Sequence, residues 1–160
     1  METMEDFSTY FAQRKEKAKT IYDAQKNVHN PYFKQDIVLN SDGFHHLQFS
    51  ARRERNKQEQ LLKFNLLPLA LDVIKKAGTI QEYRKILSPV GDKSKRDGFV
   101  LMKNIEYWAF VAIVKDNKIK LRTILRRIGD GNITFWSVMP DSKFRKEQGQ
   151  KLFSDGIDDE

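Results

Sequence analysis

The sequence predicts an α+β domain in which N-terminal helices pack on an antiparallel sheet of about four strands. Apolar residues recur at helical spacing through the first half of the chain. The last third instead alternates apolar with polar residues, and a glycine-bearing turn separates two such runs. Strands and helices do not alternate regularly, as a parallel sheet would require.

Residues 5–27 carry Phe7, Tyr10, Phe11, Ala18, Ile21 and Tyr22 at spacings near three and four, the pattern of an amphipathic helix. Asn30 and Pro31 close it, because the residue before a proline is pushed out of helical conformation. Ile37, Val38 and Leu39 form a short strand. Ser41 or Asp42 then caps a second helix that turns Phe44, Leu47 and Ala51 inward. A charged run over 51–60 leads into an apolar helix over 61–77, kinked or broken at Pro68 and stopped at Gly78. The pattern over 81–87 fits either helix or strand, and 88–98 reads as a surface loop. Strands follow over 107–115, 118–128 and 133–139, the last two joined by a hairpin through Gly129 and Gly131. This divides the chain into a helical extension (1–35), a core domain (36–140) and a polar tail (141–160) ending in acidic residues.

Composition narrows the function classes. The chain has 160 residues and no cysteine, which excludes disulfides, thiolate metal sites and a cysteine nucleophile. The acidic first residues lack the pattern of a secretion signal, and no apolar run is long enough to span a bilayer. A cytoplasmic protein without membrane contact is expected. Twenty-nine Lys and Arg against 22 Asp and Glu give a net charge of +7 and a pI near 9.5, a field that draws polyanions.

The charge is concentrated. In the strand over 118–128, alternation puts Lys118, Lys120, Arg122 and Arg126 on one face and Ile119, Leu121, Thr123 and Leu125 on the other. If Ile128 pairs with Ile133, Arg126 lies beside Phe135 and Ile124 beside Ser137; a bulge at a hairpin glycine would shift this register. Guanidinium forks grip phosphates and aromatic rings stack on bases, so such a face suits RNA. Equally, it suits a solvated sheet face that resists aggregation. Trp136, on the side opposite Ser137, reads as core. Of the adjacent His45 and His46, only one can face a given site, and the inward turn of Phe44 and Leu47 favours His46. Imidazole titrates near neutrality and is the usual proton-transfer group. Arg52 and Arg53 follow within two turns; Arg55 and Lys57 read as ordinary surface charges. No phosphate-binding loop, dinucleotide fingerprint or nucleophile elbow occurs.

Asp42 to Leu47, the basic run leading to Leu66-Leu67-Pro68-Leu69, Lys120 to Ile124, and Ile133 to Val138 occur in an order that resembles the phage-associated nuclease domains of the barnase–EndoU–colicin–RelE (BECR) class. The resemblance covers about 35–140. It implies helices on a four-stranded antiparallel sheet and an endoribonuclease using neither metal nor cofactor. The implied catalytic residues are His46 or His45, Arg53, Arg122 or Arg126, and Ser137, with Arg52, Lys118, Lys120 and Phe135 binding nucleic acid. The RNA 2′-hydroxyl would attack the adjacent phosphate and leave a 2′,3′-cyclic phosphate. A toxin or mobile-element effector of this kind would cut tRNA or mRNA and be held in check by an acidic antitoxin or immunity protein. The rival expectation is a non-catalytic nucleic-acid-binding or protein-interaction module.

Overall fold

A computed structural model describes residues 4–116 and 118–141. The order is α1 (Met4–Gln25), β1 (Asn27–Asn30), β2 (Gln35–Val38), α2 (Ser41–His46), α3 (Lys57–Lys76), β3 (Glu82–Val90), β4 (Leu101–Val114), β5 (Ile119–Ile128) and β6 (Thr134–Pro140). The α+β class holds. The sheet has six strands rather than about four, in the order β1-β2-β6-β5-β4-β3. It is mixed, because β2 meets β6 in parallel at Val38 and Thr134 while every other pair is antiparallel.

The two extra strands come from segments whose sequence was read otherwise. Lys26 takes a left-handed φ of 55° and ends α1, so Asn27–Asn30 is free to pair with β2 before Pro31 is reached. The proposed boundary at residue 35 therefore falls between paired strands, and Tyr22 and Val28 share one core with Ile37. Residues 82–90 settle as β3 because β4 supplies a full antiparallel ladder, which an isolated ambiguous pattern cannot reveal. Asn40, one residue before the expected caps, accepts the Gly43 backbone N–H at 3.0 Å. Asn56 does the same for α3, which thus begins before residue 61. Pro68 stays inside α3 on its exposed side, and Ala51 is exposed rather than inward. The polar tail, except Asp141, lies outside the described residues. Among the described residues no helix is long and apolar enough to cross a membrane.

The helices lie on one sheet face. Their apolar side chains (Phe44, Phe64, Leu67, Leu71, Ile74) meet Phe110, Leu121, Leu125, Phe135 and Val138 in the main core. The opposite face carries a smaller cluster, in which Ala109 and Ile124 pack with Tyr107, Trp136 and Met139. The alternation expected for β5 is observed. Leu121 and Leu125 point to the helices, while Lys120, Arg122, Ile124 and Arg126 lie opposite Ile113, Val111, Ala109 and Tyr107 on the other face.

One irregularity re-aims β6. Ile124 pairs with Ser137, as expected, but Leu125 pairs with Phe135 and Arg126 with Thr134. The bulge sits at Trp136, not at a hairpin glycine, and Trp136 has no counterpart on β5. An extra residue in one strand turns its side chain out of the simple alternation. Trp136 accordingly packs with Ile124 and Tyr107 away from the helices, and Phe135 enters the main core.

Candidate nucleic-acid site

The bulge builds a stack. The guanidinium carbon of Arg126 lies 3.4 Å from the centroid of the Trp136 ring. The His46 ring lies 3.8 Å from that ring, tilted by only 16°. Both groups are too close to the indole to share one of its faces, so Trp136 is sandwiched between a cation and an imidazole. Of the aromatic side chains, indole attracts a cation over its face most strongly. His46 reaches the ring because α2 lies against β6. Beyond Thr134 no strand covers the outer edge of β6 among the described residues, and α2 and α3 line it instead.

The approach of α2 is close enough to require Gly43. A Cβ at that position would meet the Phe135 carbonyl oxygen at 2.5 Å and the Tyr22 hydroxyl at 2.6 Å. The Tyr22 hydroxyl in turn donates to the Asn40 carbonyl at 2.6 Å and fixes the start of α2. Burial, with Asp23 and Asp42 adding to it, holds that phenol well above its ordinary pKa, so it remains a donor.

Around the stack stand residues from three segments, the α2–α3 connection, α3 and β6. Arg55 is buried, donates through Nε to the His46 carbonyl at 3.0 Å, and places a terminal nitrogen 3.2 Å from His46 Nε2. A guanidinium can only donate, so in this bond Nε2 is the acceptor. Gln60 anchors the Arg55 carbonyl at 2.6 Å. Lys63, only 6% exposed, donates to Ser137 Oγ at 3.1 Å and to the Val138 carbonyl at 2.9 Å. It thereby satisfies backbone of β6 at the edge where no neighbouring strand does.

Arg126 differs from the other basic residues of its strand. Burial lowers its guanidinium pKa, and a hydrogen bond to Tyr107 together with the charge of Asp42 works against that. Among the described residues, its Nε and the Trp136 Nε1 are both buried donors without an acceptor. Such groups cost about 1–3 kcal/mol each and favour any acceptor brought to them.

The remaining expected residues divide sharply. Arg122 lies on the expected face, but Glu82 and Asp141 hold it in ion pairs. Lys120 shares Asp141 at 3.3 Å, and Lys118 is exposed in the β4–β5 turn. Much of the basic stripe is thus neutralised by carboxylates distant in sequence. Phe135 is fully buried against Tyr22 in the helix-side core, which leaves it no face to offer a base. Arg53 and Arg52 are exposed; Arg53 bonds to Glu59 and to the Glu54 carbonyl, away from His46. His45 is exposed and stacks on Phe49 at 4.5 Å, on a different side of α2 from His46.

The structure brings His46 and Arg126 together on Trp136, which the sequence pattern assigned to the core, and sets Arg55, expected as a surface charge, against His46; Ser137 is fully buried and bonded to Lys63, a residue the sequence reading did not name. A signal for Lys63 existed. It stands among Gln60, Phe64, Leu67 and Leu71 on the inward stripe of α3, where a charge needs a partner. Among the described residues no three His, Asp or Glu side chains gather as metal ligands would. No protein-family model, no curated protein and no solved structure matches the chain.

Proposed function

We propose that this chain is an endoribonuclease of the barnase–EndoU–colicin–RelE type, cutting RNA by attack of a 2′-hydroxyl on the adjacent phosphorus. The observation that carries the reading is the Arg126–Trp136–His46 stack, beside which Arg55 bonds His46 and Lys63 bonds Ser137. Binding alone requires neither an imidazole nor a hydroxyl at that place.

In the reaction the O2′–P bond forms and the P–O5′ bond breaks, leaving a 2′,3′-cyclic phosphate and a 5′-hydroxyl. The proton leaves the 2′-oxygen for a base and reaches the 5′-oxygen from an acid. His46 is the proton-transfer group, with Nε2 the nitrogen that faces Arg55. A phosphate that draws Arg55 to itself frees Nε2 to accept the proton. Arg126 meets the charge that grows on the non-bridging oxygens, and its position is already set by the indole, so little reorganisation is needed at the transition state. The substrate class is tRNA or mRNA, and an acidic antitoxin or immunity protein covering the stack is the matching regulator for a toxin or mobile-element effector.

A second reading has its own support. His46 is 3% exposed and its Nε2 is already engaged by Arg55, which suits a module that binds RNA and leaves it whole. Incubation of the protein with transfer RNA and bulk RNA in EDTA separates the two. Cyclic-phosphate ends from the wild type, absent with His46→Ala and Arg126→Ala, support the nuclease. Bound but intact RNA after hours at micromolar protein establishes the binding module.

A further inference from the structure

The sheet ends on β3, whose outer edge no strand covers among the described residues. The helices pack over β4, β5 and β6. The edge is apolar. Tyr83, Ile86 and Leu87 lie exposed on β3, and Phe99, Leu101 and Met102 continue the patch into the β3–β4 connection and the start of β4. Leu87 is 64% and Ile86 40% exposed. A nine-residue edge strand of this kind is a template for further pairing.

Backbone geometry fixes which groups the edge offers. The Gly129 N–H donates to the Asn104 carbonyl at 2.7 Å, so Asn104 turns its backbone toward β5. Its partner on β3, Leu87, therefore points its own N–H and C=O away from β4. By alternation Tyr83, Lys85 and Pro89 do the same, Pro89 with a carbonyl only.

We infer that β3 pairs with β3 of a second copy of this chain, antiparallel about a two-fold axis at Ile86. In that register Lys85 and Leu87 of each copy exchange both backbone bonds with Leu87 and Lys85 of the other, and each Tyr83 N–H donates to the opposite Pro89 carbonyl. Moving the axis to Leu87 or Ser88 carries the partner of Tyr83 past the end of the strand. Moving it to Lys85 or Arg84 sets like charges face to face, which is destabilising.

The side chains agree with this register. Ile128, Ile105 and Ile86 form a row across β5, β4 and β3 on the face away from the helices. The axis continues that row into Ile86, Ile105 and Ile128 of the second copy, and apolar cross-strand neighbours are what stabilise a sheet. On the helix side Tyr83, 5.7 Å from Trp108, gains Pro89 as a neighbour. Across the axis Lys85 faces Leu87, Arg84 faces Ser88 and Glu82 faces Val90, so no like charges meet. The pairing makes one continuous sheet with both Arg126–Trp136–His46 stacks on the same side, and it stands independently of the ribonuclease reading. Nine residues a side fall short of the about 20–30 of a standard interface, so association in the micromolar range is expected.

Sedimentation velocity of the whole chain, from low micromolar to several hundred micromolar, is expected to show the mass rise from 18.8 kDa toward twice that value. Leu87→Lys, which opposes Lys85 of the second copy with a like charge, should weaken the association at least about tenfold. Cysteine, which the chain lacks, reads the register. Ile86→Cys sets two thiols on a pair with Cα atoms about 4.5 Å apart, within reach of a disulfide. Ser88→Cys sets them about 14 Å apart, out of reach. On oxidation with diamide the first is expected to crosslink and the second to run as a monomer on a denaturing gel. A wild type that stays at 18.8 kDa at every concentration overturns the inference and leaves the edge to another partner or to none. Equal crosslinking of the two cysteine variants overturns the register on which the inference stands.

Discussion

Gly43→Ala tests the placement of α2 on which the stack depends. Judged by helix propensity alone, alanine should stabilise a helical position by about 1 kcal/mol. The contacts set the opposite sign. The added carbon would lie 2.5 Å from the Phe135 carbonyl oxygen and 2.6 Å from the Tyr22 hydroxyl, against 3.4 Å or more for ordinary contact. Neither neighbour yields easily: one is β6 backbone, and the other is buried and hydrogen-bonded to Asn40. α2 must therefore withdraw by about 1 Å, and overpacking of this kind costs about 1–3 kcal/mol. Set against the propensity gain, this leaves a net loss of up to about 2 kcal/mol, which lowers Tm by up to about 8 °C for a domain of this size. His46 moves with α2, and a displacement of about 1 Å in a catalytic group costs about a hundredfold in rate. Urea denaturation, thermal melting and the RNA cleavage assay measure the three effects. A variant as stable as the wild type, with cleavage intact, would refute the claim that close packing of α2 on β6 sets the site.

Four further outcomes are expected. His46→Ala should lower cleavage by about 10²–10⁴-fold while RNA affinity by anisotropy changes little, and Arg126→Ala should weaken both. Lys63→Met, which leaves the buried Val138 carbonyl without its donor, should cost about 1–3 kcal/mol in urea denaturation. Arg122→Ala should lower stability but leave the salt slope of RNA binding unchanged, because Glu82 and Asp141 already hold that guanidinium; a shallower slope would return Arg122 to the RNA surface. Burial raises the Glu106 pKa, but hydrogen bonds from Tyr83 and Arg127 and the charges of Arg127 and Lys85 outweigh it and hold the folded-state value low. A depressed carboxylate contributes stability above its unfolded pKa and loses it as pH falls through the folded one. Stability should therefore decline on acidification through the carboxylate range, and Glu106→Gln should flatten that part of the profile in pH-dependent melts.

The sequence by itself determined the α+β class, the helical first half, the antiparallel β5–β6 hairpin and the inward–outward alternation of β5, because periodicity and turn residues are local properties. It also offered His45, His46, Arg53, Arg122, Arg126 and Ser137 as site candidates without separating them. Tertiary structure decided the rest. Whether residues 27–30 and 82–90 become strands depends on β2 and β4 being there to pair with them. Trp136 faces the stack rather than the main core because of a bulge that no local signal placed at that residue. Which cations remain available was likewise a tertiary matter: Glu82 and Asp141 neutralise Arg122 from 40 and 19 residues away, whereas Arg126 lies on an indole and its Nε finds no acceptor among the described residues. Net charge sums every residue equally, and only the folded chain determines which charges meet one another and which are left for a ligand.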